Sequence, residues 1–177
     1  MERNALHLDG EGSHGFADAV ADARRVVIVG GGQLGRRLAE QLAPVRPVHH
    51  VDEVVSAVAR PRGYEASHAA DVTSTAALAA TGVSAEDVAV VLAGRDSRTL
   101  LVTQLLRTTF GVERVYAVLT DPRNRDTFDI TGVTPICGVE PVAAAVLATT
   151  DEAATPAPPP VVDQDATTDL SRPPEPG

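Results

Sequence analysis

Apolar residues in this chain gather into short β-branched runs, and the stretches between them carry helical spacing. Residues 26–29 (VVIV) and 88–92 (VAVVL) are continuous apolar runs, the composition of strands buried on both faces of a parallel sheet. Residues 48–52, 64–68, 114–119 and 133–137 predict four further strands. Helical character falls at 36–42, 53–60, 74–80 and 97–109, the last with Leu100, Leu101, Leu105 and Leu106 on one side. Pro61 stops the second of these, and Gly82 and Gly111 stand just past the ends of the third and fourth. Asp121 followed by Pro122 predicts the start of another helix, ending at Gly132, and residues 141–149 predict a closing one. Alternation of this kind argues for one open parallel sheet with helices on both faces. The expected strand order is 3-2-1-4-5-6, with a ligand at the switch between the first and fourth strands.

The ends of the chain differ from its middle. The last 27 residues hold seven prolines and almost nothing large and apolar, so residues 151–177 are expected to be disordered. Residues 1–22 are polar with glycines at 10, 12 and 15, and are expected to form a mobile arm in which 16–23 has some helical character. The net charge of −9 belongs to these two ends: five acids against one arginine in the first 22 residues, six against one in the last 27. The 128 residues between them balance 13 acids with 13 arginines, and lysine is absent throughout. Acidic ends weigh against nucleic acid or an anionic membrane as a partner. No apolar stretch reaches the length of a signal peptide core or a membrane span, and the single cysteine, Cys137, excludes an internal disulfide. The expectation is a soluble intracellular protein with one domain, residues 23–150.

Within that frame, the turn after the first strand changes the picture most. Gly30, Gly32 and Gly35 stand at G-x-G-x-x-G spacing between the first strand and the first helix of the sheet. There the first glycine permits a tight turn, the second admits a pyrophosphate to the backbone, and the third lets helix pack on strand. The positive end of the helix then faces the phosphates. Asp52 closes the second strand 20 residues after Gly32, where an acidic side chain accepts hydrogen bonds from an adenosine ribose. Asp52 and the adjacent Glu53 would repel a 2′-phosphate, which favours NAD(H), ADP or ATP over NADP(H). The fold class is therefore α/β, a Rossmann-like doubly wound parallel sheet of six strands.

With these residues placed, the chain resembles the KTN, or RCK N-terminal, nucleotide-binding domain of potassium channels and Trk-type transporters, also called TrkA-N. The resemblance is carried by VVIVGGGQLGRRLAEQL, by VDE at the end of the second strand, by ADVTSTAALAATGVSAEDVAVVLAGRDSRTLLVTQLLR and by DPRNRDTFDITGV, covering about residues 24–148. It implies that Asp71 and Thr73, with Val72 between them, lie near the adenine. It also implies that the loop 93–99, with Ala93, Gly94 and Asp96, borders the phosphates or the distal part of the nucleotide. Together with Gly30, Gly32, Gln33, Leu34, Gly35, Asp52 and Glu53, these are the candidate cofactor-binding residues. The resemblance further implies homodimers or rings of dimers on the cytoplasmic side of a membrane potassium transporter or channel pore protein, without insertion into the membrane. Three features depart from the family pattern. Thr99 replaces an asparagine, Val118 or Leu119 stands where an arginine is frequent, and the stretch after residue 150 does not resemble the usual small C-terminal ligand domain. The missing arginine favours NAD(H) or ADP over ATP.

Other chemistry is less well supported by the residues. His49 and His50 are consecutive on a strand and point to opposite faces, so they cannot chelate one metal together. Cys137 reads as a small hydrophobe, and Arg123 and Arg125 as a solvated helix face. The function expected is a non-catalytic nucleotide sensor in potassium transport, with no catalytic and no metal residues. The alternatives are a small NAD-dependent oxidoreductase and a degenerate dimerisation module.

Overall fold

The computed structural model describes residues 11–138. In chain order the elements are α1 (Glu11–Asp22), β1 (Val26–Gly30), α2 (Gly32–Leu42), β2 (Val48–Asp52), α3 (Val55–Val58), β3 (Glu65–His68) and α4 (Thr75–Ala80). They continue with β4 (Val88–Leu92), α5 (Asp96–Thr108), β5 (Arg114–Leu119), a 3-10 turn at Pro122–Asn124, α6 (Arg125–Ile130) and β6 (Thr134–Cys137). The six strands form one parallel sheet in the order β3-β2-β1-β4-β5-β6, the order expected for a doubly wound sheet. β1 and β4, neighbours at the centre, are buried along their whole length.

Alternating side chains divide the core into two layers. Val27, Val29, Val51, Ala89 and Val91 face one layer with Leu78 of α4, Val102 and Leu106 of α5 and Phe128 of α6. Val26, Ile28, Val88, Val90 and Tyr116 face the other, with Ala39 of α2 and Ala19, Val20 and Ala23 at the end of α1. At the amino ends of the strands, Asp87 is fully buried and accepts hydrogen bonds from Arg24 (3.0 Å to each oxygen), Arg25 Nε (3.2 Å) and the Ser84 N–H (2.9 Å). Burial pushes its carboxyl up, but these donors outweigh it and hold the group below the usual carboxylate range.

Two expectations change. Most of the expected mobile arm, from residue 11 onward, is a helix packed on the sheet. Phe16 meets Tyr116 edge-to-face with centroids 4.8 Å apart, and the Tyr116 hydroxyl donates to the Gly15 carbonyl at 3.0 Å. At the end of α1 the Ala19 carbonyl accepts from Arg114 Nη1 and the Val20 carbonyl from Arg46 Nε, each at 3.0 Å, the latter also taking the Ala23 N–H at 3.3 Å, which helps satisfy the helix end. The first helix of the sheet also starts at Gly32 rather than residue 36, because Gly31 adopts a left-handed conformation and serves as its N-cap. The expected helix 141–149 and tail 151–177 lie outside the described residues.

Candidate functional site

The cleft lies over the carboxyl ends of β1 and β4, where the chain leaves one for α2 and the other for α5. It has a volume of about 360 Å³, within the range of about 300–1,000 Å³ usual for small-molecule sites. The glycine turn forms its floor. A Cβ built on Gly32, whose φ is +54°, meets nothing within 4 Å, so a ligand can come against the backbone there. Gly35 has the opposite surroundings. A Cβ there would stand 2.2 Å from the Gly30 carbonyl oxygen and 2.7 Å from His50 Nε2, so only glycine lets α2 sit this close to β1 and β2.

Asp52 ends β2 against this turn. Its carboxylate is almost fully buried, with Oδ2 accepting the Gly32 N–H at 2.7 Å and Oδ1 accepting the Val54 N–H at 2.7 Å. A carboxylate oxygen has two lone pairs, so one backbone bond on each leaves capacity for ribose hydroxyls. Beneath it His50 is completely buried, with Nε2 3.0 Å from the Gly30 carbonyl, to which its N–H donates, and 3.3 Å from Asp52 Oδ2. His49 points to the other face, toward Ser67 (2.9 Å) and Glu65 (3.3 Å), as alternation along a strand requires. Burial lowers the His49 pKa. The sequence excluded His50 only from a shared metal site with His49; the structure makes it the support of the glycine turn.

Of the expected ligand-binding residues, Gly30, Gly32, Leu34, Asp52 and Glu53 line the cleft, as do Val72, Ala93 and Gly94. Gln33 is exposed outside it, and Gly35 lies underneath. Asp71 and Thr73 stand behind the wall, where Asp71 accepts the Thr73 N–H (2.8 Å) and hydroxyl (2.6 Å). Those bonds first, and Arg98 nearby, hold the Asp71 carboxyl below its usual range.

Asp96 does not border the cleft. One of its oxygens accepts the N–H and hydroxyl of Thr120, each at 2.8 Å, and the other accepts the Asp121 N–H at 3.0 Å and the Asn124 amide at 2.8 Å. Four donors on one carboxylate make it a staple between the start of α5 and the turn after β5. Burial raises its pKa and the donors lower it by more. Thr99, at the family's asparagine position, is buried within α5.

Six further residues line the cleft beyond those named as candidates, Gly31, Val54, Leu92, Arg98, Val118 and Thr120, and two of them change its chemistry. Val118, where the family frequently carries arginine, lines it as an apolar wall with Leu92 and Val72. Arg98, in the first turn of α5, lines it as a cation. Its guanidinium donates to both Glu53 oxygens, at 3.2 Å from Nη1 to Oε2 and closer from Nη2 to Oε1, and Nη2 also reaches Asp71 Oδ1 at 3.2 Å. Glu53 is fixed from the other side by the Val72 N–H at 3.0 Å. Arg98 first, and then Val72 against the opposing effect of burial, keeps the Glu53 carboxyl below its usual range.

The arrangement fits an adenine dinucleotide: an open glycine floor for phosphates, a buried carboxylate for a ribose, and apolar walls at Val54, Val72 and Leu92 for flat rings. Among the described residues no group of histidine, cysteine and acidic side chains has the arrangement of a metal site, and no helix is long and apolar enough to cross a membrane.

Comparison with solved structures finds the NAD(P)-binding domain of an exopolyphosphatase-related protein from Archaeoglobus fulgidus, with a TM-score of 0.56 and 20% identity, covering 71% of this chain and 97% of that one. At that identity the likeness establishes the fold. No match is found among curated proteins. Residues 26–139 match the TrkA-N domain, a span that begins at the first strand of the sheet and takes in every element positioning the cleft. The chain therefore belongs to the TrkA-N family of NAD(P)-binding Rossmann domains.

Proposed function

We propose that this chain is a non-catalytic NAD(H)-binding regulatory subunit of a potassium uptake or channel system, working on the cytoplasmic side of the membrane as a homodimer or larger ring with a separate pore protein. The observation that carries the nucleotide part is the 2.7 Å bond from the Gly32 N–H to Asp52. It joins the phosphate floor and the ribose acceptor into one preformed element at the switch point of the sheet. NAD(H) or ADP is favoured over ATP because the wall that would carry an arginine gripping a terminal phosphate is Val118, and the family of NAD(P)-binding domains favours the dinucleotide. Family membership supports the link to potassium transport.

Binding without catalysis is supported by what the ionisable groups of the cleft are doing. Asp52, Glu53 and Arg98 are each engaged by backbone or by one another, which suits positioning a ligand better than shuttling a proton. A sensor acts by differential affinity: nucleotide binds one arrangement of the assembly better and shifts its population, and only that difference can move a pore.

Thermal unfolding with NADH, NAD, ADP and ATP tests the nucleotide reading. A ligand at 100 times its Kd adds about 2.7 kcal/mol, and Asp52→Ala should abolish the shift given by NADH. No stabilisation by any of the four at millimolar concentration overturns the reading in favour of a dimerisation module, and turnover of a hydroxy acid with NAD would favour an oxidoreductase. Copurification with a potassium pore protein tests the partner.

A further inference from the structure

We infer that Arg98 sets which dinucleotide the cleft accepts, and that Glu53 and Asp71 hold it in reserve. The inference rests on the nucleotide reading above and adds the means of discrimination. Arg98 is the cation lining the cleft among the described residues. Its planar guanidinium matches a phosphate as well as it matches a carboxylate. It is already taken: both Glu53 oxygens receive it, and Asp71 receives Nη2 at 3.2 Å.

Neither carboxylate is free to swing aside. Glu53 is pinned by the Val72 N–H, and Asp71 by the N–H and hydroxyl of Thr73. Three chain segments, the turns after β2 and β3 and the start of α5, are thereby tied together along one side of the cleft.

Glu53 is the neighbour in sequence of Asp52, the ribose acceptor. A 2′-phosphate on that ribose carries close to two negative charges at neutral pH. It would arrive at the two carboxylates that line the cleft, those of Asp52 and Glu53, beside one guanidinium already shared between Glu53 and Asp71. To answer it, Arg98 would have to give up both bonds to Glu53. NADP(H) is therefore excluded by a prior claim on the cation rather than by lack of one, and the unphosphorylated ribose of NAD(H) leaves the claim intact. Neutralising the two carboxylates should release Arg98 to the phosphate.

The test is calorimetric titration of NADH and NADPH into wild type, Glu53→Gln/Asp71→Asn, and the same double variant with Arg98→Ala, with circular dichroism to verify folding. Wild type should prefer NADH by at least thirtyfold. The double variant should narrow that ratio tenfold or more through tighter NADPH binding, and Arg98→Ala should remove the gain. If the double variant does not fold, Glu53→Gln alone should show a gain of at least threefold. Unchanged NADPH affinity in the folded variant, or a gain that survives loss of Arg98, overturns the inference while leaving the nucleotide reading in place. Failure of wild type to bind NADH overturns both.

Discussion

Replacing Gly35 with alanine isolates what holds the glycine turn in shape. The new methyl would lie 2.2 Å from the Gly30 carbonyl oxygen and 2.7 Å from His50 Nε2, so α2 must lift off the sheet or the turn must shift. Overpacking of this kind costs about 1–3 kcal/mol. Displacing the buried His50–Gly30 hydrogen bond adds about 1–3 kcal/mol, and the better helix propensity of alanine returns about 1 kcal/mol. The net loss is about 1–5 kcal/mol, which at its middle is roughly 10 °C in Tm for a chain of this size. Gly32→Ala is the control, since its methyl meets nothing within 4 Å at φ +54°. It should cost only the left-handed backbone penalty of about 1–2 kcal/mol, yet weaken NADH because the methyl points into open cleft. Urea denaturation followed by circular dichroism measures the stabilities, and calorimetry the affinity. A Gly35→Ala variant as stable as wild type, or less harmed than Gly32→Ala, would refute the close-approach argument.

Other substitutions separate support from binding. Asp96→Ala should lower stability by about 1–3 kcal/mol by orphaning its four donors and speed amide exchange at residues 120–124, while NADH affinity changes less than threefold because Asp96 lies outside the cleft; a large loss of affinity would return it to the binding site. Phe16→Ala should cost about 1–2 kcal/mol through lost ring packing and hasten proteolytic cleavage within α1; unchanged protection would mean the helix is held by its arginine contacts alone. Acid should destabilise the fold in a defined window. Asp87, Asp96 and Glu53 all have folded pKa values below the usual range, so their contribution is present above their unfolded values of about 4 and is lost as pH falls through the lower folded ones. Urea titrations from pH 7 down to pH 3 should therefore show a decline that Asp87→Asn makes shallower, and a parallel decline in the variant would remove Asp87 from the account.

The central strands were readable because burial on both faces leaves only apolar, mostly β-branched residues at positions such as 26–29 and 88–92. That Asp52 would stand against the glycine turn was readable because the spacing from Gly32 to Asp52 is set by one β-α-β unit. Less local features escaped. The start of α2 at Gly32 depends on Gly31 taking a left-handed cap, while glycine in sequence argues against a helix. α1 carried a weak signal in Phe16, Ala19, Val20 and Ala23, but its glycines and acids hid a helix whose partners, Tyr116, Arg114 and Arg46, are far along the chain. Arg98 meets Glu53 across 45 residues, and no pattern around either one announces the pair. Asp96 shows the converse: its position suggested a ligand contact, and tertiary structure gave its oxygens to Thr120, Asp121 and Asn124 instead.

The two outermost strands of the sheet bear on how copies of this chain could meet. β3 and β6 are four residues long each; the first carries an exposed glutamate at its start and the second contains Pro135, which has no amide hydrogen to offer. Short rims interrupted by charge and proline are poor templates for extending a sheet from one molecule into the next. Association would then fall to helices and loops, leaving the backbone ladder confined within each molecule.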